Sequence, residues 1–384
     1  MNSTQTASPT IAWQEAGKTK TSAWHSENHA PTPKRVQIAD DTIKADDAYK
    51  LCCEGTALLW RGDYQNAKHL LQALSRRIDR PGKKPKKAAS TMLEAFHLHR
   101  QAQSQKARIL GMLVIELSVG YNINLRRAPD VKAACEHAYG KSTENIVVSL
   151  REILGIIGAY EWHKNGVEIP AINNKIYPSY GVFSPIRGEY LDLVDTAPLP
   201  VPCNLAFDIG TGTGVLVAVL ANRGITKVVA TDTSHRALDC ALYNINQLAL
   251  KNHVALVEAD LYPKIDYGNA DLIVCNPPWL PAHPSSALES AVYDEKSKML
   301  KGFLSGLNAR LTKTGEGWLI LSDFAEHLGL RTREELLRWI EEAGLKVIDR
   351  MDTKAKHSKT LDASDPLNAA RKAEVTSLWR LGRA

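Results

Sequence analysis

Two hydrophobic rhythms divide the chain. From Ala45, apolar residues recur at three- and four-residue spacings through Leu51, Leu58, Leu59, Ala67, Leu70, Leu71 and Leu74, the stripe of an amphipathic helix. The stripe stops at Arg80-Pro81-Gly82-Lys83-Lys84-Pro85-Lys86-Lys87, where two prolines and a glycine forbid helix. It resumes near Met92 and runs through Leu110, Leu113, Ile115 and Leu117, and a further helical stretch leads from Thr143 to about Trp162. Residues 41–165 therefore read as a mostly helical N-terminal domain. Residues 1–40 show no apolar periodicity and are rich in Ser, Thr, Pro and Lys, which predicts a disordered tail. Its tryptophans, Trp13 and Trp24, read as a docking feature; His25 and His29, four apart in such a tail, do not make a metal site.

From Ile169 the rhythm changes. Short β-branched runs alternate with helical segments: Leu205–Ile209, Val228–Thr231, Val254–Val257, Leu272–Cys275, Trp318–Leu321, Val347–Ile348 and Val375–Leu381. Helices are expected from Val215, over Ser234–Leu250, over Glu295–Leu311 and over Thr332–Ala343. Seven strands with interleaved helices predict an α/β fold, a doubly wound, Rossmann-like and mainly parallel sheet occupying residues 166–384.

Composition narrows the function classes. Of 384 residues, 44% are hydrophobic and 23% charged, which fits a globular protein and excludes a fibrous or wholly disordered one. No apolar run approaches the ~18 residues of a membrane span, and no basic start with an apolar run marks a secretory signal. The six cysteines include no CxxC pair and read as reduced cytoplasmic thiols with no metal site. The charge is uneven. Residues 61–108 hold twelve Lys and Arg against three acids, a local +9 in a chain of net +6, so the remainder carries −3. Lys354, Lys356, His357 and Lys359 form a second, small basic group. Such segments contact phosphates without reading sequence, or serve as solvated helix faces and linkers.

The candidate chemistry lies at strand ends. The first strand of the sheet runs into Asp208-Ile209-Gly210-Thr211-Gly212-Thr213-Gly214, a loop that lets a ligand approach the backbone closely. The sixth place of a dinucleotide fingerprint is Val215 rather than glycine, which counts against a nicotinamide enzyme. Asp208 would repel pyrophosphate but accept hydrogen bonds from an ammonium group, so the pocket suits a nucleoside carrying an amino acid. Asp232, 22 residues beyond Gly210, stands where ribose hydroxyls are read, and Asp260 follows the third strand. The fourth strand ends in Asn276-Pro277-Pro278-Trp279. The Asn276 side-chain carbonyl and the Pro277 main-chain carbonyl offer two acceptors to one planar NH2 group, and Trp279 offers a flat face for stacking.

Asp-Ile-Gly-Thr-Gly-Thr-Gly, Thr231-Asp232, Ala259-Asp260 and Asn-Pro-Pro-Trp, in that order, resemble the class I S-adenosylmethionine-dependent methyltransferases. Within these the chain resembles the amino-nitrogen group that includes the HemK-like glutamine methyltransferases and the adenine- and guanine-N-methylating enzymes. The resemblance covers about 178–350. It extends to Tyr180–Glu189, where relatives carry a segment covering the cofactor, and to Gly315-Glu316-Gly317-Trp318, the usual turn before the fifth strand. It departs at Trp279, where HemK-like enzymes usually have tyrosine. The resemblance implies S-adenosylmethionine as cofactor: Asp208, Gly210, Thr211, Gly212 and Gly214 around its methionine part, Asp232 on the ribose, Asp260 on the adenine. It implies that Asn276 and Pro277 hold the acceptor nitrogen beside the cofactor.

Three acceptor classes fit this loop: a protein glutamine amide, which the HemK likeness favours, an RNA or DNA base amine, and a small-molecule amine. The basic segment favours a nucleic acid or a ribosome-associated protein, and the N-terminal domain reads as the substrate-selecting part. His283, four residues beyond Trp279, is a candidate for receiving the released proton or a simple loop residue. A non-catalytic binding module on the same fold is the reading from a different class; every motif position here carries a competent residue.

Overall fold

In the computed structural model the described residues are 9–80, 89–185, 188–284, 289–354, 362 and 364–384. The sequence features at Pro81–Lys87, at Ile186–Arg187 and at Lys356, His357 and Lys359 lie outside them. The chain forms two compact units, residues 1–89 with 97–161, and residues 90–96 with 162–384.

The first unit is a mixed α/β structure rather than a mostly helical one. Its elements are β1 (Thr10–Glu15), β2 (Lys18–Trp24), β3 (Arg35–Ala39), α1 (Ala45–Cys53), β4 (Thr56–Trp60), α2 (Tyr64–Ile78), α3 (Met92–Leu110), β5 (Leu113–Leu117), α4 (Lys132–Tyr139), β6 (Ile146–Ser149) and α5 (Leu150–Asn165). The six strands form one sheet in the order β1-β2-β6-β5-β4-β3. The expected tail is thus corrected: residues 10–39 supply three strands. Ala16 and Gly17, both at positive φ, make the tight turn that joins β1 to β2. Alternate residues Ile11 and Trp13 turn inward, and with Trp24 they enter a core cluster containing Leu59, Val114 and Val147. The two tryptophans are core residues, not a docking feature.

The helical spacing over Leu58-Leu59, Leu113–Leu117 and Ile146–Ser149 belongs to strands. Gly55, at φ 78°, ends α1, and all five residues of β4 are buried. A short run buried on both faces shows no alternation, so its apolar residues fell into step with the helices on either side. The helical reading holds over α2, where Ala67, Leu70, Leu71 and Leu74 are buried.

The second unit has β7 (Val167–Ile169), β8 (Asn174–Ile176), α6 (Glu189–Thr196), β9 (Leu205–Ile209), α7 (Val215–Asn222), β10 (Lys227–Asp232), α8 (His235–Gln247), β11 (Val254–Glu258), β12 (Ala270–Cys275), α9 (Lys298–Arg310), β13 (Leu311–Ser322), α10 (Phe324–His327), α11 (Arg333–Glu342), β14 (Leu345–Lys354), α12 (Asn368–Ala373) and β15 (Val375–Arg383). All seven predicted strands are present as β9–β15, in one sheet of order β11-β10-β9-β12-β13-β15-β14. The pairs from β11 to β13 are parallel, and β15 runs antiparallel between β13 and β14. Side chains alternate across the sheet. Ala206, Leu272 and Val274 join a core cluster with α6 and α7, while Phe207, Ile209 and Ile273 join another with α9 and α11. Both faces of the central strands are covered, which is why β9 and β12 read as continuous apolar runs, whereas β14 at the edge is mostly exposed. Gly315–Trp318 is not a turn before a strand. It lies inside β13, whose pairing with β12 jumps from Leu311 to Glu316, so residues 312–315 form a bulge.

Two features position the site. The strand order reverses between β9 and β12, the switch point at which parallel sheets leave a crevice at their carboxyl edge. In addition, Ser90–Phe96 belongs to this unit: Phe96 is buried in a cluster with Leu280, Phe324 and Leu328, directly after the Asn-Pro-Pro-Trp loop.

Candidate functional site

The glycine loop leaves β9 at Ile209. Gly210, Gly212 and Gly214 all have positive φ, a backbone that residues with a Cβ adopt at a cost. Gly210 N–H and Thr211 N–H both donate to the Thr231 carbonyl, 2.9 Å each, which curls the loop over the end of β10. Gly214 occupies the N-cap of α7 with no side chain to cap it, so the first N–H groups of that helix point outward unsatisfied by a cap.

Asp208 lies under this loop, fully buried, and neither carboxylate oxygen has a hydrogen-bond partner. Burial pushes its pKa up to about 7; the neighbouring Thr211 hydroxyl, which stands outside hydrogen-bonding geometry, opposes this, and the Asp232 charge adds to it. The Thr211 hydroxyl is likewise buried and unpartnered. A buried carboxylate without a donor costs several kcal/mol in an apolar setting, so the pair marks a place prepared for a group that donates hydrogen bonds.

Asp232 ends β10. Its Oδ2 accepts from Gly212 N–H at 3.0 Å and its Oδ1 from Ser234 N–H at 2.9 Å. A carboxylate accepts at about four lone-pair positions, so the residue braces the glycine loop and keeps capacity for hydroxyls. Asp260 is exposed in the turn after β11, where Thr231 Oγ1 donates to the Leu261 carbonyl at 2.5 Å and Leu261 holds φ 71°.

The acceptor loop is the next strand end. Cys275 of β12 pairs with Ile209 of β9, so Gly210 and Asn276 leave the sheet side by side at the strand spacing, about 5 Å. Pro277 is buried, Asn276 and Trp279 partly so. The indole N–H of Trp279 donates to Asn276 Oδ1 at 2.9 Å, and its ring packs against members of both core clusters. Trp279 is therefore engaged with its own loop at one edge. His283 is exposed and its Nδ1 stands 3.1 Å from Glu295 Oε2.

One participant was not read from the sequence. Asn244 of α8 is buried; its Oδ1 accepts from Tyr177 N–H at 2.7 Å, and its Nδ2 donates to the carbonyls of Tyr177, Thr213 and Cys240. It bolts the segment 177–180 to the glycine loop. The available signal was a polar residue on the apolar stripe of a helix, four after Cys240.

Part of the second unit is similar to known proteins. Residues 191–335 match the family described as the methyltransferase small domain. A release factor glutamine methyltransferase of Caulobacter vibrioides is 34% identical over 128 residues, 32% of this chain and 44% of that protein. A ribosomal protein uL3 glutamine methyltransferase of Bordetella pertussis is 30% identical over 124 residues, 31% of this chain and 41% of that protein. The chain thus spans less than half the length of either relative. A methyltransferase structure from Pyrococcus furiosus is 16% identical, with 59% of this chain and 98% of that chain covered at a TM-score of 0.41. The second unit carries a methyltransferase small domain over residues 191–335, and its relatives named above are glutamine methyltransferases, to which it is similar over about a third of the chain. Among the described residues no helix is long and apolar enough to cross a membrane, and the six cysteines are free.

Proposed function

We propose that the protein is an S-adenosylmethionine-dependent N-methyltransferase whose acceptor is the side-chain amide of a protein glutamine, acting in the cytoplasm. The observation that carries the reading is the adjacency of two strand ends: a buried, unpartnered Asp208 under the glycine loop and the Asn276-Pro277 carbonyls beside it.

The residues present fit the cofactor. An amino acid carries its two charges at one end. Asp208 accepts from an ammonium, while the uncapped N-terminus of α7 attracts a carboxylate. Asp232 retains lone pairs for a ribose, and Asp260, exposed after β11, is the acceptor proposed for the adenine. When bound, S-adenosylmethionine supplies a methyl group on a sulfonium, an electrophile that needs no further activation. The protein's part is alignment. Asn276 Oδ1 and the Pro277 carbonyl accept the two N–H bonds of a planar amide and so fix its nitrogen in line. Those hydrogens become more acidic as the nitrogen forms its new bond, so the same acceptors bind the transition state more tightly than the ground state. One proton leaves the nitrogen afterwards.

Two observations favour the glutamine acceptor over a base. By their names, the two relatives above act on glutamine of a release factor and of a ribosomal protein. The basic segment is also partly neutralised: Arg61 pairs with Glu15 and Glu116, Arg77 with Asp46, and Lys106 with Asp79.

The test is transfer of tritium from labelled S-adenosylmethionine into cell extract by the full-length protein. Protease should remove the label and ribonuclease should not, and exhaustive enzymatic digestion should yield N5-methylglutamine. Asn276→Ala should lower transfer about 10²–10³-fold, the usual cost of one preorganised hydrogen bond, while Asn276→Asp keeps an acceptor and part of the activity. Label that ribonuclease removes would assign a nucleobase acceptor instead.

A further inference from the structure

An asparagine amide is nearly symmetric in shape, and its oxygen and nitrogen do opposite things to an incoming N–H. A loop that must present the oxygen needs something to hold it there. Pro277 and Pro278 restrict the backbone but do not touch the rotation of the Asn276 side chain. Among the described residues, the hydrogen bond from Trp279 Nε1 to Asn276 Oδ1, at 2.9 Å, is the one made by that side chain. An indole N–H can only donate, so it bonds the oxygen and never the amide nitrogen. It uses one of two lone pairs and leaves the other.

We propose that Trp279 is the positioning residue of the acceptor loop: its indole N–H orients the Asn276 amide so that the remaining oxygen lone pair meets the acceptor N–H. The proposal rests on the reading of Asn276 given above. It assigns to the aromatic residue of this loop a role other than stacking, and it gives a reason for tryptophan. Phenylalanine has no donor, and tyrosine carries its hydroxyl at the far end of the ring's long axis instead of at the edge nearest the loop. The ring itself is anchored against residues of both core clusters, so the donor is fixed by packing on two sides of the sheet.

Trp279→Ala would leave a hole between those clusters, and loss of activity there would report folding. Two replacements remove the donor while keeping an aromatic ring: the smaller Trp279→Phe, and 3-benzothienylalanine at position 279, in which sulfur replaces the N–H on a ring of nearly the same shape. Both are measured in the full-length protein with the protein fraction of the extract as acceptor, varied in concentration. The expected result is a kcat lower by about tenfold, with KM for acceptor and affinity for S-adenosylmethionine within about twofold of wild type. In the Asn276→Ala background the same replacements should have no further effect, because the group they position is gone. The indole N–H resonance of Trp279, assigned by its absence from Trp279→Phe, should move on Asn276→Ala. An unchanged kcat, a raised kcat, or an equal loss in both backgrounds overturns the proposal. An Asn276→Ala protein that transfers at the wild-type rate would instead sink the assignment of Asn276, and the resonance would then decide alone whether Trp279 holds it.

Discussion

Asp208 shows most directly how one side chain ties folding to ligand binding. With a pKa of about 7 in the fold against 3.8 when free, it holds a proton in the folded state through a pH range in which the unfolded chain has lost it. Stability from this group is full below about 3.8 and is lost as pH rises through about 7. The groups around it do not supply the missing charge: Tyr190 of α6 and Cys275 of β12 are both pushed up by their own burial, and the neighbouring Asp232 raises Asp208 further. Asp208→Asn keeps the shape and cannot ionise. The variant should melt higher, by a margin already present at pH 5 and growing by several degrees towards pH 8, since a pKa raised from 3.8 to about 7 corresponds to about 4 kcal/mol in all. Saturating S-adenosylmethionine should close that gap, because the wild type regains a counter-ion and the variant binds more weakly, by about tenfold or more. Melting curves recorded from pH 5 to pH 8 decide the matter; parallel wild-type and variant profiles would mean Asp208 is not the burdened group.

Among the strands and helices, the decisive connection runs through α8. Ser234 caps that helix, accepting from Ala237 N–H at 3.3 Å, and its buried face reads Ala237, Cys240, Ala241, Asn244 and Ile245. Four of these pack. Asn244 instead satisfies the backbone of two separate loops, at Tyr177 and at Thr213. Asn244→Leu would bury those groups without partners, at about 1–3 kcal/mol each. The expected outcome in titration calorimetry is at least a tenfold loss of S-adenosylmethionine affinity, with far-ultraviolet circular dichroism retained. Asn244→Asp preserves the acceptor for Tyr177 N–H and should fall between the two. Equal affinities would mean the glycine loop keeps its form without this bolt.

The chain does not divide at one point. Residues 90–96 belong with the methyltransferase unit although they precede part of the first unit in the sequence. Phe96 is 2% exposed and packs with Leu280 and Phe324. Cutting the chain before residue 162 would strip that unit of one of its own core residues, so a fragment 162–384 is expected to be unstable for a local reason. Phe96→Ala in the full-length protein tests this. It should lower the stability of the second unit by about 3–5 kcal/mol, read as a lower midpoint in urea with fluorescence from the tryptophans, while the first unit melts as before. No shift would place Phe96 outside that core.

The methyltransferase half was legible because its signals are local. Six of its seven strands contain an apolar run between turns and the seventh, β14, shows only Val347-Ile348, while its acids and glycines stand at strand ends, where chain order alone brings them to one edge. Asp208, Gly210, Asp232 and Asn276 needed no knowledge of distant contacts to be named. The first unit resisted for the opposite reason. The strands β4, β5 and β6 are short, and their burial depends on partners far along the chain, such as the pairing of β2 with β6; hydrophobic spacing records that a residue is buried but not against what. The same limit hid Asn244, whose value lies in two loops that only the fold brings together. It also hid the bond from Trp279 to Asn276, which depends on how the indole is wedged between two core clusters. Identity and order of residues set the chemistry available at the site, and packing decided which atoms of those residues remain free to perform it.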